Sequence, residues 1–116
     1  MSLEQQGRLD KDNLIDGEWS GADDRAEVQH PYKGTVVGSV PLVGAGRVTD
    51  AIEAADAAVE SSSLSAYDRY ELLTVAADRV EERLEEIAQI VTSEEGKPIT
   101  EARNEVDRTA QTLRLS

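Results

Sequence analysis

Tyr70, Leu73, Ala77, Val80, Leu84, Ile87 and Val91 recur at alternating intervals of three and four residues, the spacing that lines one face of an α-helix. Asp78, Glu81, Glu82, Glu85 and Glu86 fall outside that stripe. The pattern predicts a single helix over about 65–95. It opens at Ser65-Ala66-Tyr67-Asp68, where Ser65 and Asp68 can form a capping box. Gly96 suits the left-handed residue after a helix end, and Pro98 suits the first turn of the next helix. That helix, over about 98–116, turns Ile99, Ala102, Val106, Ala110 and Leu113 inward, with Glu101 and Glu105 answered by Arg108 on the polar side. Upstream, Val48, Ile52, Ala55 and Val59 share a face opposite Asp50, Glu53 and Asp56, which predicts a helix over about 46–60, ended at Ser61-Ser62-Ser63.

The first third follows a different rule. Leu14-Ile15-Asp16-Gly17-Glu18-Trp19 sets an Asp-Gly step between apolar positions, a hairpin signal. Ser20 to Arg25 reads as loop and Ala26 to His30 as a short extended piece. Pro31-Tyr32-Lys33-Gly34 then supplies turn chemistry. Thr35-Val36-Val37-Gly38-Ser39-Val40 is the strongest strand, being rich in β-branched residues. Pro41 cannot donate to a ladder, so an edge strand or a strand end is expected there. Strands therefore occupy about 13–43, while the polar, aperiodic residues 1–12 are expected to form a flexible arm. The order is a hairpin or meander followed by three helices. Such segregation suits an α+β domain, or the front end of a larger α/β protein, with residues 13–116 as one unit. Thr112-Leu113-Arg114-Leu115-Ser116 carries no stop signal, so the chain is expected to end within an element.

Composition narrows what this unit can be. Phe is absent, Trp19 is the only tryptophan, and Tyr32, Tyr67 and Tyr70 complete the aromatic set. Burying a Leu or Val gains roughly 1.5–3 kcal/mol, against about 1–2 kcal/mol for fixing each backbone residue. A core of Ala and Val leaves little surplus, and marginal stability in isolation is expected. Twenty-four Asp and Glu against twelve Lys and Arg give a net charge of −12 spread along the chain. Nucleic acid is excluded as a partner because phosphate neutralisation needs a basic patch, and anionic membranes are repelled likewise. Few lysines (Lys11, Lys33, Lys97) and a dispersed acidic surface suit a halophile, whose high-salt cytoplasm screens self-repulsion; an ordinary acidic mesophilic protein is the alternative. Neither a secretory signal nor a run of roughly 20 apolar residues is present, so the expected location is cytoplasmic.

Candidate chemistry is sparse. With no cysteine there is no disulfide, thiolate nucleophile or thiolate metal site, and His30 is the single histidine. Gly44-Ala45-Gly46 imitates the start of a dinucleotide-binding loop, but Thr49 stands where the fingerprint needs a small residue; a helix-opening turn accounts for it. Glu81, Glu82, Glu85 and Glu86 face away from the apolar stripe, as a solvated surface does. Glu94-Glu95, His30 and Lys97 read as structural. The stripe from Tyr70 to Val91 fits packing within a domain better than a coiled coil. No residue is assigned as catalytic, cofactor-binding or metal-ligating.

Several segments in order carry a resemblance. Leu14-Ile15-Asp16-Gly17-Glu18-Trp19, then His30-Pro31-Tyr32-Lys33-Gly34-Thr35-Val36-Val37-Gly38-Ser39-Val40-Pro41, the helix Val48 to Val59, the start Leu64-Ser65-Ala66-Tyr67-Asp68-Arg69, Glu94-Glu95-Gly96-Lys97-Pro98 and Glu101 to Leu115 follow one another. Together they resemble the N-terminal portion of the aldehyde dehydrogenase superfamily. His30 departs from the family's usual asparagine before proline, and Gly44-Ala45-Gly46 from its usual polar helix start. The resemblance implies an α/β fold and residues 13–116 as the N-terminal part of a coenzyme-binding domain. For the intact enzyme it implies oxidation of an aldehyde to a carboxylic acid with NAD or NADP. There a cysteine thiolate adds to the carbonyl, an asparagine and a backbone amide hold the oxyanion, and a glutamate activates water. None of those residues falls within the part resembled.

The leading expectation is thus an N-terminal dehydrogenase fragment that alone neither reduces NAD(P)+ nor binds it tightly. Its partners would be the remainder of the enzyme or homo-oligomer subunits, with a small-molecule aldehyde as substrate of the whole. The alternatives are a non-catalytic binding or assembly module, or a truncated remnant.

Overall fold

The Asp16-Gly17 step folds as its sequence predicts: both residues have positive φ, 52° and 76°, the conformation of a type I′ turn whose twist matches its flanking strands. It joins two strands of a series. The structure, a computed structural model, describes residues 7–116. Leu9–Asp10 (β1), Asn13–Ile15 (β2), Glu18–Ser20 (β3), Arg25–Gln29 (β4) and Val36–Pro41 (β5) precede Ala45–Ser61 (α1), Ala66–Glu82 (α2), Leu84–Glu95 (α3) and Ile99–Leu115 (α4). β2 and β3 form the hairpin, with Leu14 opposite Trp19. The other strands form a sheet in the order β1-β5-β4.

That order corrects two expectations. Residues 1–6 of the expected arm lie outside the described residues, but Leu9 and Asp10 pair in parallel with Gly38 and Ser39. The pairing depends on Gly38, whose backbone is so close to β1 that a Cβ there would stand 1.8 Å from the Leu9 carbonyl oxygen. With β1 on one side and the antiparallel β4 on the other, β5 is the central strand and not an edge. Pro41 is its last residue, opposite Arg25, so of the two expected placements the strand end holds, where a missing N–H removes no interior ladder bond. A bulge between Val28 and Gln29 bends β4 just before the His30–Pro31 turn.

The helical half holds the core. The predicted capping box forms: Ser65 Oγ accepts from the Asp68 amide at 3.1 Å and Asp68 Oδ2 from the Ser65 amide at 2.7 Å. The single helix expected over 65–95 is instead two, giving four helices rather than three. At Arg83 φ is −108° and ψ 16°, and its N–H turns back to the Val80 carbonyl at 3.2 Å. This three-residue closure tightens the chain by one step before α3 resumes. α4 packs against both α2 and α3. Ala77, Ala88, Ala102 and Ala110 are fully buried and Val106 nearly so, with Val80, Leu84, Ile87, Val91 and Ile99 around that centre. Alanine at the contacts lets the helices approach closely, but it buries little area per residue.

The molecule is a slab. Its principal extents are 47 × 35 × 18 Å and its radius of gyration is 16.7 Å, against about 13 Å for a compact chain of roughly 100 residues. α1 buries no residue: its stripe is present, yet Ile52 is 65% and Val59 78% exposed. Among the described residues, no helix is long and apolar enough to cross a membrane.

Candidate functional site

Two motif segments far apart in sequence meet in space. His30 closes its turn twice. Its amide donates to the Thr35 carbonyl and its carbonyl accepts from Gly34, each at 2.8 Å. Its ring Nδ1 also accepts from the Tyr32 and Lys33 amides at 3.2 Å. A side-chain acceptor over two successive amides is what asparagine provides in an Asx-type turn, so His30 Nδ1 performs a backbone task. Gly96, at φ 74°, ends α3 with its N–H on the Thr92 carbonyl at 2.9 Å. Its missing side chain leaves room for the Pro31 ring, which a Cβ there would meet at 3.4 Å.

Lys97 follows in this junction, 28% exposed, with its ammonium on Glu105 of α4 and 3.3 Å from Glu95. Glu105 first, then Glu95, hold that ammonium above the ordinary lysine range. A lysine so held keeps its proton and is a poor nucleophile. The pair also corrects the expectation that Arg108 answers Glu105. Lys97, Glu101, Asn104, Glu105 and Arg108 line a depression of about 280 Å³. Four of these lie on one face of α4, so it is a shallow polar groove along a single helix. Ligand sites are usually enclosed, apolar clefts of about 300–1,000 Å³.

The four carboxylates that the sequence sets off the apolar stripe, Glu81, Glu82, Glu85 and Glu86, are each engaged by arginine. Glu81 takes Arg114 at 2.6 Å, Glu82 takes Arg79 at 2.8 Å, Glu85 takes Arg103 at 2.8 Å and Glu86 takes Arg83 at 2.7 Å. Hydrogen bonds from those arginines hold Glu81, Glu85 and Glu86 below the usual carboxylate range. A general acid needs the opposite shift. Among the described residues, no group of three or more His, Cys, Asp or Glu could hold a metal ion.

Gly44-Ala45-Gly46 leads from the central strand into α1, but neither glycine is required by close packing, since a Cβ on Gly44 or Gly46 would meet nothing within 4 Å. Arg47 beside them reaches Ser20 Oγ at 2.9 Å and Asp50 at 3.4 Å. These residues do not enclose a coenzyme. The cluster missed in the sequence lies elsewhere: Ser39, 3% exposed, is the buried polar residue of the sheet, and Arg25 and Asp10 converge on it. Arg25 and Ser39 lie on facing strands fourteen positions apart, and no local periodicity signals such a pairing.

The model of the aldehyde dehydrogenase family matches residues 19–116. The chain is 36% identical over 102 residues to the 3-sulfolactaldehyde dehydrogenase of Priestia aryabhattai, covering 88% of this chain and 21% of that protein. It superposes on the NAD-dependent aldehyde dehydrogenase of Sinorhizobium meliloti with a TM-score of 0.89 and 30% identity, over 97% of this chain and 24% of the other. On the NADP-dependent glyceraldehyde-3-phosphate dehydrogenase of Bacillus halodurans C-125, complexed with NADP, the TM-score is 0.87 and the identity 33%, over 93% and 23%. The chain thus spans between a fifth and a quarter of the length of these relatives. By sequence and by fold it belongs to the aldehyde dehydrogenase family.

Proposed function

We propose that the chain is the N-terminal portion of an NAD(P)-dependent aldehyde dehydrogenase, in which residues 13–116 form one flank of the coenzyme-binding domain. The thiolate, oxyanion donors and base that convert aldehyde, water and NAD(P)+ into acid and NAD(P)H belong to the rest of the enzyme. The observation that carries this reading is the slab's unclosed apolar surface. α1 buries nothing, and Trp19, Ile52, Val59, Leu64, Tyr67 and Tyr70 are all exposed. So many exposed large apolar side chains, with Tyr67 and Tyr70 in ring contact, support a covering surface in the intact enzyme. The dispersed negative charge supports adaptation to a high-salt cytoplasm.

The test is a chimaera in which this chain replaces the matching segment of the Priestia aryabhattai enzyme. The chimaera should bind NAD(P)+ and oxidise 3-sulfolactaldehyde, while the 116-residue chain does neither. A folded chimaera with no coenzyme binding would overturn the reading.

A further inference from the structure

We propose that residues 8–12 form a charge-held strap that opens and closes on β5 independently of the helical core, with Arg25 as its catch. The strap makes only two backbone registers with β5, Leu9 with Gly38 and Asp10 with Ser39. One further bond runs from the Lys11 amide to the Ser39 carbonyl at 3.0 Å. Apolar burial adds little, because Leu9 is only half-buried and the other four residues are exposed.

What fastens it is a side-chain network centred on one guanidinium. Arg25 Nε donates to Ser39 Oγ at 2.9 Å, Nη1 to Asp12 Oδ1 at 2.8 Å, and Nη2 to the Lys11 carbonyl at 2.7 Å and the Ser39 carbonyl at 3.2 Å. Ser39 Oγ in turn donates to Asp10 Oδ1 at 2.7 Å, and the same carboxylate accepts from Arg8 Nε at 2.8 Å. Arg8 also approaches Glu27 of β4 at 3.6 Å. One planar cation with donors in a fixed fork satisfies four acceptors on two chain segments. The ties from Arg25 to Asp12 and the Lys11 carbonyl and from Arg8 to Asp10 are exposed and therefore screened by salt, whereas those at Ser39 are part-buried.

Two opposite salt responses follow. The chain as a whole carries −12, so screening relieves repulsion in the helical core. In the strap, charges of both signs attract, so screening loosens it. Where few contacts and exposed hydrogen bonds coincide, local opening precedes global unfolding.

Amide hydrogen exchange on the full chain tests this. Raising salt from about 0.1 to about 1 M, which shortens the Debye length from about 10 to about 3 Å, should speed exchange at the Lys11 amide and slow it at Ala102, Val106 and Ala110. Arg25→Met and, separately, Ser39→Ala should speed exchange in the strap about tenfold or more and leave the α4 amides unchanged. Unaltered strap exchange in Arg25→Met, or strap and α4 amides accelerating together, would overturn the proposal.

Discussion

Gly38 and Leu9 meet backbone to backbone: a Cβ on the glycine would stand 1.8 Å from the leucine carbonyl oxygen. β1 owes its place to the absence of one side chain. Gly38→Ala should therefore displace β1 and cost on the order of 1–3 kcal/mol, read as a lower Tm and lost protection at the Lys11 amide. Gly46→Ala is the control. That residue lies inside α1 with open space around it, and alanine there should stabilise by up to about 1 kcal/mol.

The junction between the Pro31 turn and the end of α3 gives a second pair of outcomes. Gly96→Ala forces a side chain into the left-handed region at φ 74° and against the Pro31 ring. A loss of about 1–2 kcal/mol is expected. His30→Asn restores a side-chain oxygen over the Tyr32 and Lys33 amides and should preserve stability. His30→Ala leaves both amides without that acceptor and should cost about 1 kcal/mol. Thermal denaturation of the four proteins, wild type included, ranks them.

Arg114 ties α4 to α2 through Glu81 at 2.6 Å and Asp78 at 2.8 Å. Its hydrogen bond holds Glu81 below the ordinary carboxylate range. A carboxylate depressed in the folded state stabilises above its unfolded pKa of about 4.3 and ceases to as pH falls through the folded value. Arg114→Met should thus lower Tm by about two degrees at neutral pH, as an exposed pair allows, and the gap should close below pH ~4. A gap that is unchanged at low pH would show that packing of the arginine stem, and not charge, joins the helices.

Ile52 separates the isolated chain from the assembled enzyme. It is 65% exposed on a helix that buries nothing, so Ile52→Gln should change the stability of this chain by no more than about 0.5 kcal/mol. Within the chimaera the same substitution places an amide in a closed interface and should cost about 1–3 kcal/mol. Paired denaturant titrations measure both.

What the sequence revealed divides along physical lines. Local rules succeeded: Asp16-Gly17 fixes its own turn, Ser65 and Asp68 cap their own helix, and Gly96 ends one. The stripe located the core from Ala77 to Val91 because a period of three and four is a property of the segment itself, but its first member, Tyr70, is exposed. Failures came where the outcome rests on distant atoms. Arg83 is no helix breaker by composition, so the step between α2 and α3 left no mark. β1 lies in a polar, aperiodic stretch, and its pairing is set by Gly38 nearly thirty residues away. Pro41 suggested an edge strand or a strand end; it is the strand end, and nothing local announces β1 on the far side of β5. Arg108 was matched to Glu105 by helix spacing, but Lys97 reaches that carboxylate first from outside the helix. For the candidate site, the sequence left every catalytic role unassigned, and the geometry places the singled-out His30, Lys97 and glutamates in turns and ion pairs.

The most direct measurement is turnover by the purified chain alone, followed as NAD(P)H formation with 3-sulfolactaldehyde and with simple aliphatic aldehydes. A polypeptide with no cysteine has no thiolate to add to the carbonyl and should give no rate above the protein-free blank. Sustained NAD(P)H formation that scales with the concentration of this chain would contradict the account.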